Sequence, residues 1–179
     1  MGLYKRRIGP KVALMKAIRI HKYGNADTLT YEDAPMPEPG PEEIRIRVHA
    51  SAVNPVDWKI REGYLQPMLN HPLPLTLGWD VSGEVVSIGV EVTHLKVGDA
   101  VYSRPEISKN GSFAEYMTAT ADEVAIKPSA LTWQEAAGVP LAALTALQSL
   151  YAFANLQARE RVLIPGGFGA VGQLATQLA

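Results

Sequence analysis

The segment 161–179 constrains this chain more than any other. Arg161-Val162-Leu163-Ile164 reads as a strand of the buried type, and Gly167-Phe168-Gly169-Ala170-Val171-Gly172 follows it and opens a helical stretch to Ala179. The spacing is G-x-G-x-x-G. Alone that pattern is weak; between an apolar strand and a helix it stands in the context it needs. Glycines at these positions let the backbone approach a pyrophosphate, and the N-terminus of the following helix favours its negative charge. A glycine-rich β–α turn that binds nothing is the alternative. The unit is also short. A βαβ unit takes about 30 residues, whereas Val162 to Ala179 supplies 18. The residue that would read a ribose, about 20 positions past the motif, falls beyond Ala179. The expectation is one strand and a partial helix of a nucleotide-binding α/β unit, with the strand lacking ladder partners. The chain is then a fragment, a truncated product or one piece of a larger assembly.

Upstream the periodicity is that of strands. Ile44, Ile46, Val48 and Ala50 alternate with Arg45, Arg47 and His49, a period of two with one wet face, as in an antiparallel sheet or barrel. Met15 to His21, Trp79 to Val92 (with Gly83 and Gly89 inside it), Ala100 to Tyr102, Phe113 to Ala119 and Val124 to Lys127 read as further strands. Glycine inside a strand predicts bulges or tight corners. The chain has 15 Gly and 13 Pro, above the average share of roughly 12%, and this favours many turns. Four of the prolines lie in Ala34–Pro41, which reads as an exposed loop because proline removes donors and restricts φ. Many short strands at these spacings predict a barrel-like β domain.

Helical signals are local. Asn54 can cap a helix, Pro55 suits its first position, Asp57 sits in its first turn and Gly63 closes it. Arg61 stands four positions after Asp57, at ion-pair spacing. Thr132-Trp133-Gln134-Glu135 is a capping box, and Pro140 starts a helix with Leu141, Leu144, Thr145, Leu147 and Gln148 near a 3.6 period, running to Phe153. The reading divides the chain into a basic extension over 1–14, a β domain over 15–138, and a linker helix with the start of the nucleotide-binding unit over 139–179.

Several function classes drop out. The formal net charge is -1, so no general field draws in nucleic acid or an anionic membrane. The absence of cysteine excludes disulfides and every thiolate zinc or iron–sulfur site. No apolar run approaches the roughly 18 residues a membrane span needs. Residues 1–14 carry Lys5, Arg6, Arg7 and Lys11 with no acid, but Gly9, Pro10 and Lys11 interrupt the apolar stretch that a secretory signal requires. They read as a solvated tail or an upstream start.

In order and spacing, Met15-Lys16-Ala17-Ile18, Asn54-Pro55-Val56-Asp57-Trp58-Lys59, Leu77-Gly78-Trp79-Asp80-Val81-Ser82-Gly83, Val97-Gly98-Asp99, Gly111-Ser112-Phe113-Ala114-Glu115-Tyr116, Ala136-Ala137 and Leu144-Thr145-Ala146 before the glycine turn resemble the medium-chain dehydrogenase/reductase superfamily. The likeness is to its zinc-free quinone oxidoreductase branch and runs from Met15 to Ala179. It implies a GroES-like β-barrel domain followed by the start of a Rossmann domain, with chemistry in the cleft between them. It also implies NADPH (NADH as the alternative), a quinone or α,β-unsaturated carbonyl acceptor, a cytoplasmic location and a homo-oligomer.

Zinc-dependent relatives carry Cys where Asn54 stands and His-Glu where Trp79-Asp80 stands. Catalytic zinc takes three ligands from Cys, His or carboxylate, and Trp79 is no ligand at all. The four histidines, at 21, 49, 71 and 94, have no metal-ligand spacing. No metal is expected, and a zinc alcohol dehydrogenase is disfavoured. Carbonyl polarisation then falls to hydrogen bonds and positioning. The resemblance places Asn54 in the cleft and Thr145 on the nicotinamide. Tyr64 is a candidate hydroxyl donor and Trp79 a candidate pocket wall. The cofactor set is Asn54, Thr145, Gly167, Gly169, Ala170, Val171 and Gly172. Plainer roles stand beside these: Asn54 as a cap alone, Asp57 as a cap or ion-pair partner, Tyr64 as surface, Trp79 as core, and Thr145 bonding its own helix. The competing function is a catalytically silent fragment or interaction module.

Overall fold

The computed structural model describes residues 13–179. Most of the expected basic extension lies outside the described residues, and Leu14, assigned to it, already belongs to the first strand. In chain order the strands are β1 (Leu14–Ile20), β2 (Leu29–Pro35), β3 (Glu43–Ser51), β4 (Leu75–Thr76), β5 (Val81–Ile88), β6 (Ala100–Ser103), β7 (Tyr116–Thr120) and β8 (Val124–Ile126). The helices are α1 (Pro55–Arg61), α2 (Trp133–Ala137), α3 (Pro140–Leu147), which continues as a π-helical turn over Gln148–Phe153, and α4 (Ala170–Leu178).

The strands form two sheets, β2-β1-β4 and β7-β3-β5-β6-β8, and all pairings are antiparallel. The barrel-like expectation holds in outline, and the two sheets curl without joining into one continuous ladder. They are joined by isolated contacts, with the Ile18 N–H donating to the Phe113 carbonyl at 2.7 Å and the Glu115 N–H to the Lys16 carbonyl at 3.0 Å. The result is a curled half-barrel. Of the predicted strand from Phe113, only Tyr116–Thr120 is in a ladder, and Ala114 makes a lone bridge to Ala17.

The alternation read from β3 holds where the core needs it. Ile44 and Ile46 are fully buried and pack with Val81, Val85, Val101 and Met117 between the strands, while Arg47 on the other face pairs with Glu84. The expected irregularity at Gly83 is present: Val48 pairs with Gly83 but Ala50 with Ser82, so β3 has one extra residue, His49. That bulge sets the His49 ring flat against Trp133 of α2, with centroids 4.4 Å apart. A Cβ at position 83 would meet the Arg47 carbonyl oxygen at 2.2 Å, so the close strand approach requires glycine. A second apolar cluster, Ile20, Ile60, Leu75, Leu77 and Trp79, fills the space between β1, β4 and α1.

The helical signals hold as well. Thr132 Oγ1 accepts from the Glu135 N–H and Glu135 Oε2 accepts from the Thr132 N–H, which closes the capping box of α2. Ala146 and Leu150 pack against Ala175 of α4. Arg161–Ile164 is not a strand in this structure. An extended segment needs a ladder to hold it, and among the described residues none is offered, so Leu163 stands 87% exposed.

Ile46→Ala is expected to lower stability by about 2–5 kcal/mol through the cavity it leaves. Val90→Ala, at a site 92% exposed, should stay within about 0.5 kcal/mol. Urea unfolding of the two variants beside the parent chain tests both.

Candidate active site

The site grows from the irregular segment Leu77-Gly78-Trp79-Asp80 that leads into β5. Gly78 has φ +97°, and a Cβ there would meet the Phe113 ring at 2.5 Å; the position therefore demands glycine. That backbone drives both following side chains inward, and Trp79 and Asp80 are each fully buried.

Burying an ionised carboxylate is costly unless it is hydrogen-bonded, and Asp80 is provided for. Its Oδ2 accepts from Asn54 Nδ2 at 2.9 Å, and its Oδ1 accepts from the Leu141 N–H at 2.8 Å. Pro140 and Leu141 open α3, where backbone N–H groups have no partner inside the helix. Asp80 thus supplies the missing acceptor from another element. Its own carbonyl receives the Ser51 and Ser112 hydroxyls at 2.7 and 2.8 Å. One residue thereby ties the start of β5, the head of α1 and the head of α3.

Asn54 stands at the N-cap of α1, and its N–H donates to Asp57 Oδ2 at 2.5 Å. Asp57 is 3% exposed, and its Oδ1 has no partner. Burial pushes its carboxyl up to about 6 against the N–H groups of Asn54 and Gly78, which pull it down. Asp80 is likewise pushed up to about 6, first by burial and further by the Asp57 charge, while Asn54, Leu141 and Arg104 oppose the shift. The capping role read for Asp57 is what the geometry shows. The spacing-based ion pair with Arg61 is not formed: Arg61 pairs with Glu62 at 2.7 Å and donates to the Gly24 carbonyl.

A cleft of about 330 Å³ opens between Val56 of α1, the loop after β6 (Arg104 and Ile107) and the face of α3 that carries Leu141, Leu144, Thr145 and Gln148. Thr145 therefore lies on a cleft between the β layer and the helices. Its hydroxyl donates to the Leu141 carbonyl at 2.7 Å, the backbone bond weighed for it from sequence.

Of the residues expected at the acceptor, Asn54, Trp79 and Tyr64 do not line this cleft, Asn54 being turned to Asp80. Trp79 offers no surface, because it is enclosed among Ile20, Ile60, Leu75 and Leu77; its reading as a pocket wall gives way to core, since the backbone at Gly78 points it inward. Tyr64 is 63% exposed and stands edge-on to the Trp58 ring at 5.7 Å, beyond the end of α1 and away from the cleft lining. Sequence reasoning missed Asp80 as the tether and Arg104, Ile107 and Gln148 as lining. The Trp79-Asp80 pair carried a signal for the first, while nothing local marked Arg104.

In the glycine turn the three positions differ. A Cβ on Gly172 would meet the Gly166 carbonyl oxygen at 2.2 Å, whereas on Gly169 its nearest neighbour is that oxygen at 3.3 Å and on Gly167 the Ile164 oxygen at 3.6 Å. Gly172 is needed for helix-to-turn packing, and Gly169 leaves its outer side open. Gly169 caps α4, whose first turn carries no acid, and the N–H groups of Ala170, Val171 and Gly172 are the unpaired donors of that helix.

Two carboxyls raised from 3.8 to about 6 bind more protons folded than unfolded across that interval. Stability should therefore fall as pH rises from about 4 to about 6 and level off above. Urea midpoints across this range should show the decline, and Asp80→Asn should reduce its slope; a midpoint rising with pH over the interval would contradict the burial argument.

The family model described as "Alcohol dehydrogenase GroES-like domain" matches residues 40–129. A "Quinone-oxidoreductase homolog, chloroplastic" of Spinacia oleracea is 38% identical over 172 residues, covering 93% of this chain and 52% of that protein. An "NAD(P)H oxidoreductase RTN4IP1, mitochondrial" of Dictyostelium discoideum is 36% identical, covering 92% of this chain and 49% of its own length. Among solved structures, the quinone oxidoreductase from Coxiella burnetii superposes with a TM-score of 0.86 at 38% identity, covering 93% of this chain and 53% of that one. The chain spans about half the length of the curated relatives it matches. With its half-barrel and the opening of a Rossmann-like region in place, the chain belongs to the alcohol dehydrogenase GroES-like family, and over about half of their length it is similar to quinone oxidoreductases.

Proposed function

We propose that this chain forms the acceptor-side domain and the beginning of the nucleotide-binding domain of a zinc-independent oxidoreductase, one that reduces a quinone or α,β-unsaturated carbonyl with NADPH, NADH being the alternative. The observation that carries the reading is the glycine turn. Its third glycine is filled by its own backbone, its second is open on the outside, and it heads a helix with free N–H donors and no acid. That arrangement fits a pyrophosphate. When bound, a reduced nicotinamide supplies the hydride. Ala170, Val171 and Gly172 hold the anion by their N–H groups, and Thr145 positions the ring. Asn54 and Asp80 fix where α1 and α3 stand, so the cleft keeps its shape. Val56, Leu141 and Leu144 keep water from the acceptor's apolar face. With Asn54 and a buried Trp79 at the positions where zinc relatives hold ligands, polarisation rests on hydrogen bonds. We extend the proposal to a division near Gly138, between α2 and α3, and to a cytoplasmic location. Among the described residues no helix is long and apolar enough to cross a membrane.

The competing reading is a silent interaction module. It draws on the exposed apolar side chains Phe153, Leu163 and Phe168. Nucleotide binding separates the two. NADPH titration followed by calorimetry should give binding that Gly169→Val weakens at least about tenfold, or about 1.4 kcal/mol, with little change in melting temperature. Gly172→Ala should lower the melting temperature itself. Chelator treatment should leave NADPH affinity unchanged. No detectable NADPH binding by the unmodified chain would favour the silent module.

A further inference from the structure

We propose that Arg104 makes this cleft selective for acceptors that carry an anionic oxygen, such as a carboxylate or an ionised quinone hydroxyl, placed beside the reducible ring. The inference rests on the oxidoreductase reading above and names the substrate class of that same cleft.

Arg104 follows β6 and is half-buried. It lines the 330 Å³ cleft and also a neighbouring one, of about 280 Å³, between β6, β8 and the start of α3. In the first it is the one charged side chain. The other lining side chains are apolar (Val56, Ile107, Leu141, Leu144) or neutral and polar (Thr145, Gln148). Among the described residues its guanidinium makes no ion pair and no hydrogen bond. The other arginines of the β layer, Arg19, Arg45, Arg47 and Arg61, each have an acidic partner.

None of the described carboxylates near Arg104 reaches it: Asp122 and Glu123 line the neighbouring cleft but not the first, with Glu123 Oε2 accepting from the Glu106 N–H at 3.2 Å. Asp80 has both oxygens taken, by Asn54 and Leu141, and Glu106 Oε1 accepts from the Ser108 N–H at 3.0 Å. A cation withdrawn partly from water, with acidic charges nearby but no direct ion-pair partner among the described residues, in a cleft otherwise lined by apolar and neutral groups, gains most from an anion that enters with an apolar body. The planar guanidinium fork suits an oxygen anion held in two hydrogen bonds. A flat ring bearing one such oxygen matches both parts of the lining.

Two quinones of nearly equal size test this on the chain itself: 2-hydroxy-1,4-naphthoquinone, an anion at neutral pH, and uncharged 1,4-naphthoquinone. The chain has no cysteine that could form a thiol adduct with either. Calorimetric titration should give the anion at least a tenfold preference. Arg104→Met should abolish that preference while leaving the neutral quinone's affinity in place, and Arg104→Lys should keep part of it. Added salt should weaken the anion alone, a readout on the unmodified protein that does not depend on a variant folding. A preference that persists in Arg104→Met, or its absence when both quinones bind, overturns the assignment and leaves the oxidoreductase reading standing. Failure of both quinones to bind overturns the assignment and counts against the cleft as an acceptor site.

Discussion

Asp80 carries the structural logic of the site. A carboxylate with no exposed surface must be matched by donors, and the two it finds come from elements far apart in sequence: the Asn54 side chain at the head of α1 and the Leu141 N–H at the head of α3. The β layer and the helical part therefore meet at one satisfied charge. Removing either donor would leave a buried acceptor short, which is more damaging than losing a surface contact. The backbone at Gly78 makes this geometry available, since only a left-handed residue with no side chain fits against Phe113.

The cleft follows from that tether. Holding the first turn of α3 against the loop after β6 places Thr145 and Leu144 opposite Val56 and Ile107. Behind the floor, Trp79 and its apolar neighbours fill the space, with Val56 and Ile107 packed against them. The π-helical turn that continues α3 and the contact of Ala146 and Leu150 with Ala175 carry the same helix on toward α4. The glycine turn is thus mounted on a helix pair whose first member is anchored to the β layer.

Much of the fold was legible because its signals are local. The alternation Ile44–Arg45–Ile46–Arg47, the cap at Thr132–Glu135 and the Asn54–Pro55 helix start depend on residues within a few positions of one another, and each appears where it was read. The predicted strand at 161–164 fails for the complementary reason: an apolar run becomes a strand only when a ladder receives it, and among the described residues none does. Closure of the barrel was also beyond local pattern, because it depends on how the Phe113–Tyr116 segment meets β1.

The same division runs through the site. Residue order alone determined the half-barrel's strand pattern, the glycine turn and the family likeness, all of which are properties of type and spacing. Only the tertiary structure decided that Trp79 is core and Tyr64 surface, that Asp57 turns to Asn54 rather than Arg61, that Asp80 ties the heads of α1 and α3, and that Arg104 lines the cleft. Burial and the supply of hydrogen-bond partners are set by segments tens of residues distant, and no periodicity along the chain encodes which of them will arrive.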